Sequence, residues 1–267
     1  MLSYLVVAGA ALAASTLTLY SGFGLGTLLL PVFALFYPVE TAVAATAVVH
    51  LANNIFKIGL VGKMADRSLV LGFGVPALGA AFVGAAVLGL VAGLGILASY
   101  QLGPLEAQIT PIKLLMGVLI LVFSLFELLP GLRRLQFDRR HLAVGGLLSG
   151  FFGGISGHQG ALRSAFLIKS GVDRESFVGT NAVIAFMVDV ARLLTYGTIF
   201  LLAGRAATDV VAWTPADGSL VLTGVIAAFI GAVLGKRLLP KVTMAAIRTL
   251  TGTLLVLVAL GLIAGLI

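Results

Sequence analysis

Charge is what this chain has least of. Only 10% of its 267 residues are Asp, Glu, Lys or Arg, where a soluble domain carries about 25%. A water-facing surface needs those charges, so a soluble globule of this size is excluded. Cysteine is missing altogether, which removes disulfide scaffolds and thiolate metal sites. Three histidines, far apart, offer no metal-ligand spacing. There is no long polar tract and no Gly-x-y period, so disordered and collagen-like classes go too. No phosphate loop with Gly-Lys-Ser/Thr appears, and no strand-led nucleophile motif. The chain therefore reads as neither an enzyme nor an ATP-coupled pump, with no cofactor and no metal.

What is present is apolar. The nine apolar residue types make up 60% of the chain, and the mean hydropathy is +1.16. An all-α polytopic membrane protein is the class that remains, because backbone groups in lipid must be bonded within their own segment. The net charge of +7 fits membrane orientation better than a nucleic-acid partner.

Eight hydrophobic segments can be drawn, at 2–37, 40–60, 68–98, 109–129, 142–169, 176–200, 218–239 and 243–265. The first is too long for one crossing. Its 36 residues would make a helix of roughly 54 Å, against a hydrocarbon core of about 30 Å. It also holds Ser21-Gly22-Phe23-Gly24-Leu25-Gly26, which weakens a continuous helix. The fifth breaks likewise, at Gly153-Gly154-Ile155-Ser156-Gly157-His158-Gln159-Gly160. Both read as re-entrant hairpins that enter and leave on one side. Ala11-Leu12-Ala13 resembles a cleavage site, but no basic stretch precedes it. The segment is therefore expected to stay.

The loop cations support the hairpins. If all eight segments cross once, the 13 loop cations split 7 against 6. With two hairpins the split is 11 against 2, the minority being Lys113 and Arg205. By the positive-inside rule, that gives six spans, two hairpins and both termini outside.

The chain also repeats itself. Ile112-Lys113-x-Leu115-x-Gly117 recurs as Ile247-Arg248-x-Leu250-x-Gly252. Ala80-Ala81-Phe82-Val83-Gly84-Ala85 recurs as Ala227-Ala228-Phe229-Ile230-Gly231-Ala232. Gly26 and Thr46 match Gly160 and Thr180. Each half is one hairpin plus three spans, so the second half is inverted relative to the first. The halves are residues 1–130 and 142–267, joined by a basic cytoplasmic linker at 131–141. Inverted repeats with interrupted helices are a secondary-transporter architecture, with substrate held near the midplane.

The run Gly22-Phe23-Gly24-Leu25-Gly26-Thr27 leads through Pro31 into Glu40-Thr41-Ala42-Val43-Ala44-Ala45-Thr46. It is echoed by Gly153 to Gly160 and by Gly179-Thr180-Asn181. On these motifs the chain resembles the sulfite exporter TauE/SafE family, also called the toluene-sulfonate uptake permease group. The resemblance implies transport of small sulfur-containing or organic anions such as sulfite, sulfonates or sulfoacetate-like compounds. Family members often carry a near-continuous glycine run in the second hairpin. This chain has Ser156, His158 and Gln159 there, a departure that bears on substrate more than on fold.

The residues themselves place an anion site at the breaks. A broken helix leaves N–H groups unpaired at its restart, and a helix N-terminus attracts anions. Gly24, Gly26, Gly157 and Gly160 would let backbone approach the ligand, with Thr27 beside them as a candidate contact, unless these glycines serve only helix packing. Gly231-x-x-x-Gly235 is assigned to packing. Ser156, His158 and Gln159 lie at the second tip. Arg163, one turn on, offers a planar fork suited to sulfonate or carboxylate oxygens, or else snorkels. His50, Asn53, Asn54 and Lys57 follow one helical face, with snorkelling again open for Lys57. Thr180, Asn181, Asp189 and Arg192 form the matching polar set in the sixth segment. Asp189 and Arg192, three apart, are expected to pair. Together with Lys57 they are the candidates for a brace, gate or coupling role. Lys113 and Arg248 occupy matching places and read as structural, bonding hairpin carbonyls. The expected protein is an inner-membrane secondary transporter for a small anion, with the bilayer and that anion as partners and a homodimer as the candidate assembly. The alternative is an anion channel or carboxylate permease of the same fold.

Overall fold

The computed structural model describes residues 1–18, 25–133, 135–202, 215–238 and 244–267. Its helices are α1 (Leu2–Thr18), α2 (Leu25–Ala34), α3 (Val39–Val61), α4 (Arg67–Leu69), α5 (Val75–Ala92), α6 (Pro111–Leu128), α7 (Pro130–Arg133), α8 (Leu142–Ser156), α9 (Gly160–Leu167), α10 (Arg174–Leu202), α11 (Pro215–Leu238) and α12 (Met244–Ile263). A π-helical turn, Val70–Gly74, links α4 to α5. Local chemistry sets several starts. The Asp66 carboxylate accepts from the Leu69 N–H at 2.9 Å and from the Ser68 hydroxyl at 2.8 Å. These bonds hold its carboxyl below the usual range. Thr110 caps α6, with Pro111 in the first turn. Asp173 accepts from the Glu175 and Ser176 N–H groups ahead of α10.

The chain is mostly helical, as a polytopic membrane protein should be. Among the described residues four helical stretches are long and apolar enough to cross a membrane: Val39–Met64, Arg67–Ala92, Glu175–Ile199 and Asp217–Gly235. Shorter apolar stretches lie in α1, α2, α6 and α12. Large apolar side chains such as Leu71, Leu90, Leu222 and Leu257 are exposed on the outside of the bundle. That is the inside-out surface expected of lipid-facing helices.

One segment departs from the all-α expectation. The charge-free stretch drawn as 68–98 leaves the helix at Ala92, and Ala98–Leu102 pairs antiparallel with Leu105–Ile109. These strands, β1 and β2, put Ala98, Tyr100 and Leu102 opposite Ile109, Ala107 and Leu105. Ser99 and Gln101 face Gln108 and Glu106 on the other side. That is the period-2 alternation of apolar and polar residues along a strand, and Gly103, at φ 62, starts its two-residue turn. The Tyr100 hydroxyl donates to the Ala264 carbonyl at 2.6 Å, tying the hairpin to the chain end. Lys113 joins the same corner, its Nζ donating to the Gly265 carbonyl at 3.4 Å rather than to a hairpin tip. The Arg248 side chain lies outside the described residues.

Of the first predicted break, Ser21 to Gly24 lie outside the described residues, while Leu25 and Gly26 already belong to α2, which packs on α1. The second is narrower than the glycine run suggested, because α8 continues through Ser156. From there the chain folds back. Ser149 Oγ donates to the Gln159 carbonyl at 3.1 Å, Gly153 lies beneath the Gln159 side chain, and Gly145 lies against the Phe166 ring. Contacts that run outward in order on both arms describe an antiparallel helical hairpin.

Between helices, α1 packs on α11, α5 on α8, α6 on α12, and α3 on α10. Glycines set the closest crossings. A Cβ on Gly146, Gly150 or Gly154 of α8 would run into the carbonyls of Phe73, Ala77 and Ala81. On α11, Gly231 and Gly235 meet the Leu12 and Thr16 carbonyls of α1 in the same way, which is the packing role expected of that pair. The main apolar core runs through Val7, Leu29, Phe33, Val49, Met116 and Ile120. A second cluster gathers Leu69, Phe73, Phe166, Ile184 and Val188.

Candidate anion site at the helix breaks

Gly157 ends α8 in the left-handed conformation, φ 77, its N–H bonded to the Gly153 carbonyl at 2.8 Å. A residue with a side chain would be strained there. Helix α9 restarts at Gly160, and the Gln159 side chain does not cap it. The first N–H groups of α9 therefore face back into the break. The start of α2 meets this tip. A Cβ on Gly26 would lie 3.6 Å from His50 Cδ2, 3.7 Å from the Gly157 carbonyl oxygen and 3.9 Å from Thr46 Cγ2. Thr27, one residue on, is half-buried.

A hub of charge stands beside the tip, where α3 crosses α10. Asp189 is fully buried and both of its oxygens are engaged. Oδ2 accepts from His50 Nδ1 at 2.7 Å and from Asn54 Nδ2 at 2.8 Å. Oδ1 accepts from Arg192 Nε at 3.0 Å and Nη2 at 2.7 Å. The expected Asp189–Arg192 pair is present, and the whole group binds the two helices together. The third guanidinium nitrogen of Arg192 turns toward the break: Nη1 lies 2.6 Å from where a Cβ on Gly157 would sit. Glycine at 157 thus makes room for arginine as well as for the turn.

Arg163 belongs to the inner side of the hairpin and is 2% exposed. Its Nε donates to Asn181 Oδ1 at 2.5 Å, and its Nη1 to Gln159 Oε1 at 3.0 Å. Holding Oε1 turns the Gln159 amide so that its NH2 end is left over. Lys57 is 8% exposed and within electrostatic reach of Arg163. Neither cation snorkels out of the protein. Lys57, Arg163 and Arg192 against Asp189 leave this buried region positive.

Several buried polar atoms here have no hydrogen-bond partner among the described residues: Arg192 Nη1, Gln159 Nε2, His158 Nε2 and Asn53 Nδ2. An unpaired buried polar group costs about 1–3 kcal/mol, so such a group needs an explanation. The first three cluster at the second break. Asn53 sits apart, turned toward α1, where its Oδ1 accepts from Ser15 Oγ at 3.2 Å. Ser156 is used locally, its hydroxyl donating to the Phe152 carbonyl at 3.0 Å.

The structure thus brings Gly26, His50, Asn54, Gly157, His158, Gln159, Gly160, Arg163, Asn181, Asp189 and Arg192 into one region, with Lys57 at its edge. Sequence reasoning missed Tyr196, whose hydroxyl donates to the Gly154 carbonyl at 2.5 Å. Its signal was available, since it stands four residues after Arg192 on the same helical face. It also missed Phe123 of α6, which stacks on the His158 ring at 5.8 Å, and nothing in the spacing points to that pair. Among the described residues no group of His, Cys, Asp and Glu is arranged to hold a metal.

No curated protein and no solved structure matches the chain. The family model described as sulfite exporter TauE/SafE matches residues 7–262. Members of that family are membrane transporters of sulfite and related anions. With residues 7–262 of its 267 matched by that model, this chain belongs to the sulfite exporter TauE/SafE family.

Proposed function

We propose that this chain is a secondary transporter that carries a small sulfur-containing or organic oxyanion across a bacterial-type inner membrane. The anion sits between the start of α2 and the α8–α9 tip. The observation that carries this reading is the pair of buried donors left over at one break, Arg192 Nη1 and Gln159 Nε2. Donors without acceptors beside a helix N-terminus fit an oxyanion. Arg192, expected from sequence to gate or brace, becomes the main anion contact. Arg163 becomes the residue that orients Gln159.

The same reading includes two inverted repeats, residues 1–130 and 142–267, each a re-entrant hairpin plus three spans. Its support is reciprocal packing. Gly84 of α5 rests on the Phe151 carbonyl of α8, and its repeat partner Gly231 of α11 rests on the Leu12 carbonyl of α1. Gly117 of α6 meets Ala259 and Ile263 of α12, and its partner Gly252 meets Leu128 of α6. Each half thus presses matched glycines onto the other half. Two breaks on one internal pseudo-axis favour a carrier within each chain over a pore between chains.

The test is a thermal-shift screen of purified protein against sulfite, sulfonates, carboxylates, sulfate and phosphate. A ligand at 100 times its Kd adds about 2.7 kcal/mol to stability. At least one oxyanion should raise Tm in the wild type, and Arg192→Lys should lose most of that rise. A screen with no stabilising anion, or an unchanged rise in the variant, would refute the assignment.

A further inference from the structure

We infer that the oxyanion is bound together with one acidic hydrogen, which lies on the His158 Nε2 side of the ligand; this rests on the anion site proposed above and names its substrate class, a singly protonated sulfur oxyanion. The argument begins with the tautomer. His158 Nδ1 lies 3.2 Å from the Ser156 carbonyl oxygen. A carbonyl only accepts, so Nδ1 carries a hydrogen. In the neutral ring Nε2 is then a lone pair, and in the charged ring it is a second N–H. Either way the atom is buried and has no partner among the described residues.

Its surroundings differ on each side. Phe123 of α6 covers the face of the ring. Ser156 of α8 holds Nδ1. From α10, Arg192 is the charged group that acts on the ring. The other left-over atoms at the break, Gln159 Nε2 and Arg192 Nη1, can only donate. Gln159 Oε1 already accepts from Arg163 Nη1, which turns the NH2 end of the amide, a donor, to the unpaired position.

The break therefore offers two donors and one nitrogen that needs a hydrogen between itself and the ligand. A fully deprotonated oxyanion would set its own lone pairs against that of Nε2. Two states avoid this. Hydrogen sulfite can donate its O–H to neutral His158, or the sulfite dianion can accept from charged His158. The atoms and the total charge are the same in both: one anion, one ring and one shared proton. One proton then crosses with each sulfite, and the complex moves as a monoanion.

Calorimetry with sulfite on the purified, intact chain tests this. Titrations are run at alkaline pH, where free sulfite is mostly the dianion, in buffers of different ionisation enthalpy. The expected result is uptake of about one proton per sulfite bound. Methanesulfonate, a monoanion with no acidic hydrogen, should bind more weakly. His158→Phe keeps an aromatic ring against Phe123 and removes Nε2. It should weaken sulfite roughly tenfold or more while methanesulfonate, relieved of the opposed lone pair, binds more tightly than it does to the wild type; a merely structural role would weaken both alike. Sulfite binding without proton uptake, or methanesulfonate binding as tightly as sulfite, overturns the inference and leaves the anion site standing. Failure of the wild type to bind either anion overturns both.

Discussion

Asp189 shows how the site divides its charges. One carboxylate takes N–H groups from His50, Asn54 and Arg192, so it spends its acceptors on holding other residues. Removing one partner of a buried pair leaves the other uncompensated, at about 3–5 kcal/mol. Asp189→Asn should therefore lower Tm in the absence of ligand. It should also enlarge the Tm rise produced by a bound oxyanion, since the anion would then be the main counter-charge to Arg192. A smaller anion effect than in the wild type would mean that Asp189 only positions Arg192 for binding. At this scale spacing revealed the Asp189–Arg192 pair, because three residues bring side chains together on one helix. It could not reveal the His50–Asp189 contact, made across 139 positions by the crossing of α3 and α10. Nor could it show that Arg192 reaches Gly157, which depends on the hairpin folding back.

The glycines of α8 divide between two tasks that look alike in sequence. Gly157 is needed for a left-handed turn, whereas Gly146, Gly150 and Gly154 are needed for close approach to α5. The break was therefore legible and its width was not: Gly153 and Gly154 are helical, and only residues 157–159 interrupt the helix. The β-hairpin was hidden for a related reason. Residues 93–105 are uncharged, and low charge alone does not separate lipid-facing helix from an interfacial loop; the alternation of Ala98 to Leu102 does. The packing assignment has a direct test. Gly150→Ala puts a methyl group against the Ala77 carbonyl and should cost about 1–3 kcal/mol by overpacking. Gly79→Ala, on α5, meets nothing within 4 Å and should be neutral or slightly stabilising. Thermal unfolding in detergent compares the two, and equal effects would sink the assignment.

Across the whole molecule, the hairpin reading and eight single crossings make opposite statements about one loop. Both put the two termini on the same side of the membrane. They differ at the linker, which follows three crossings in one case and four in the other. Hairpins put Gln136 opposite Ile267, and single crossings put the two together. The basic residues Arg133, Arg134, Arg139 and Arg140 favour a cytoplasmic linker. Reciprocal contacts of Gly117 with α12 and Gly252 with α6 favour halves of opposite orientation. The absence of cysteine makes the question easy to ask, since any introduced thiol is the only one. Gln101→Cys, Gln136→Cys and Ile267→Cys would each be exposed in intact cells to a maleimide that cannot cross the membrane. Gln101 in β1 and Ile267 at the chain end should label at once, and Gln136 only after permeabilisation. Labelling of Gln136 and Ile267 from the same side would return the molecule to eight single crossings. The 11-to-2 division of loop cations would then have to be abandoned as a guide to orientation.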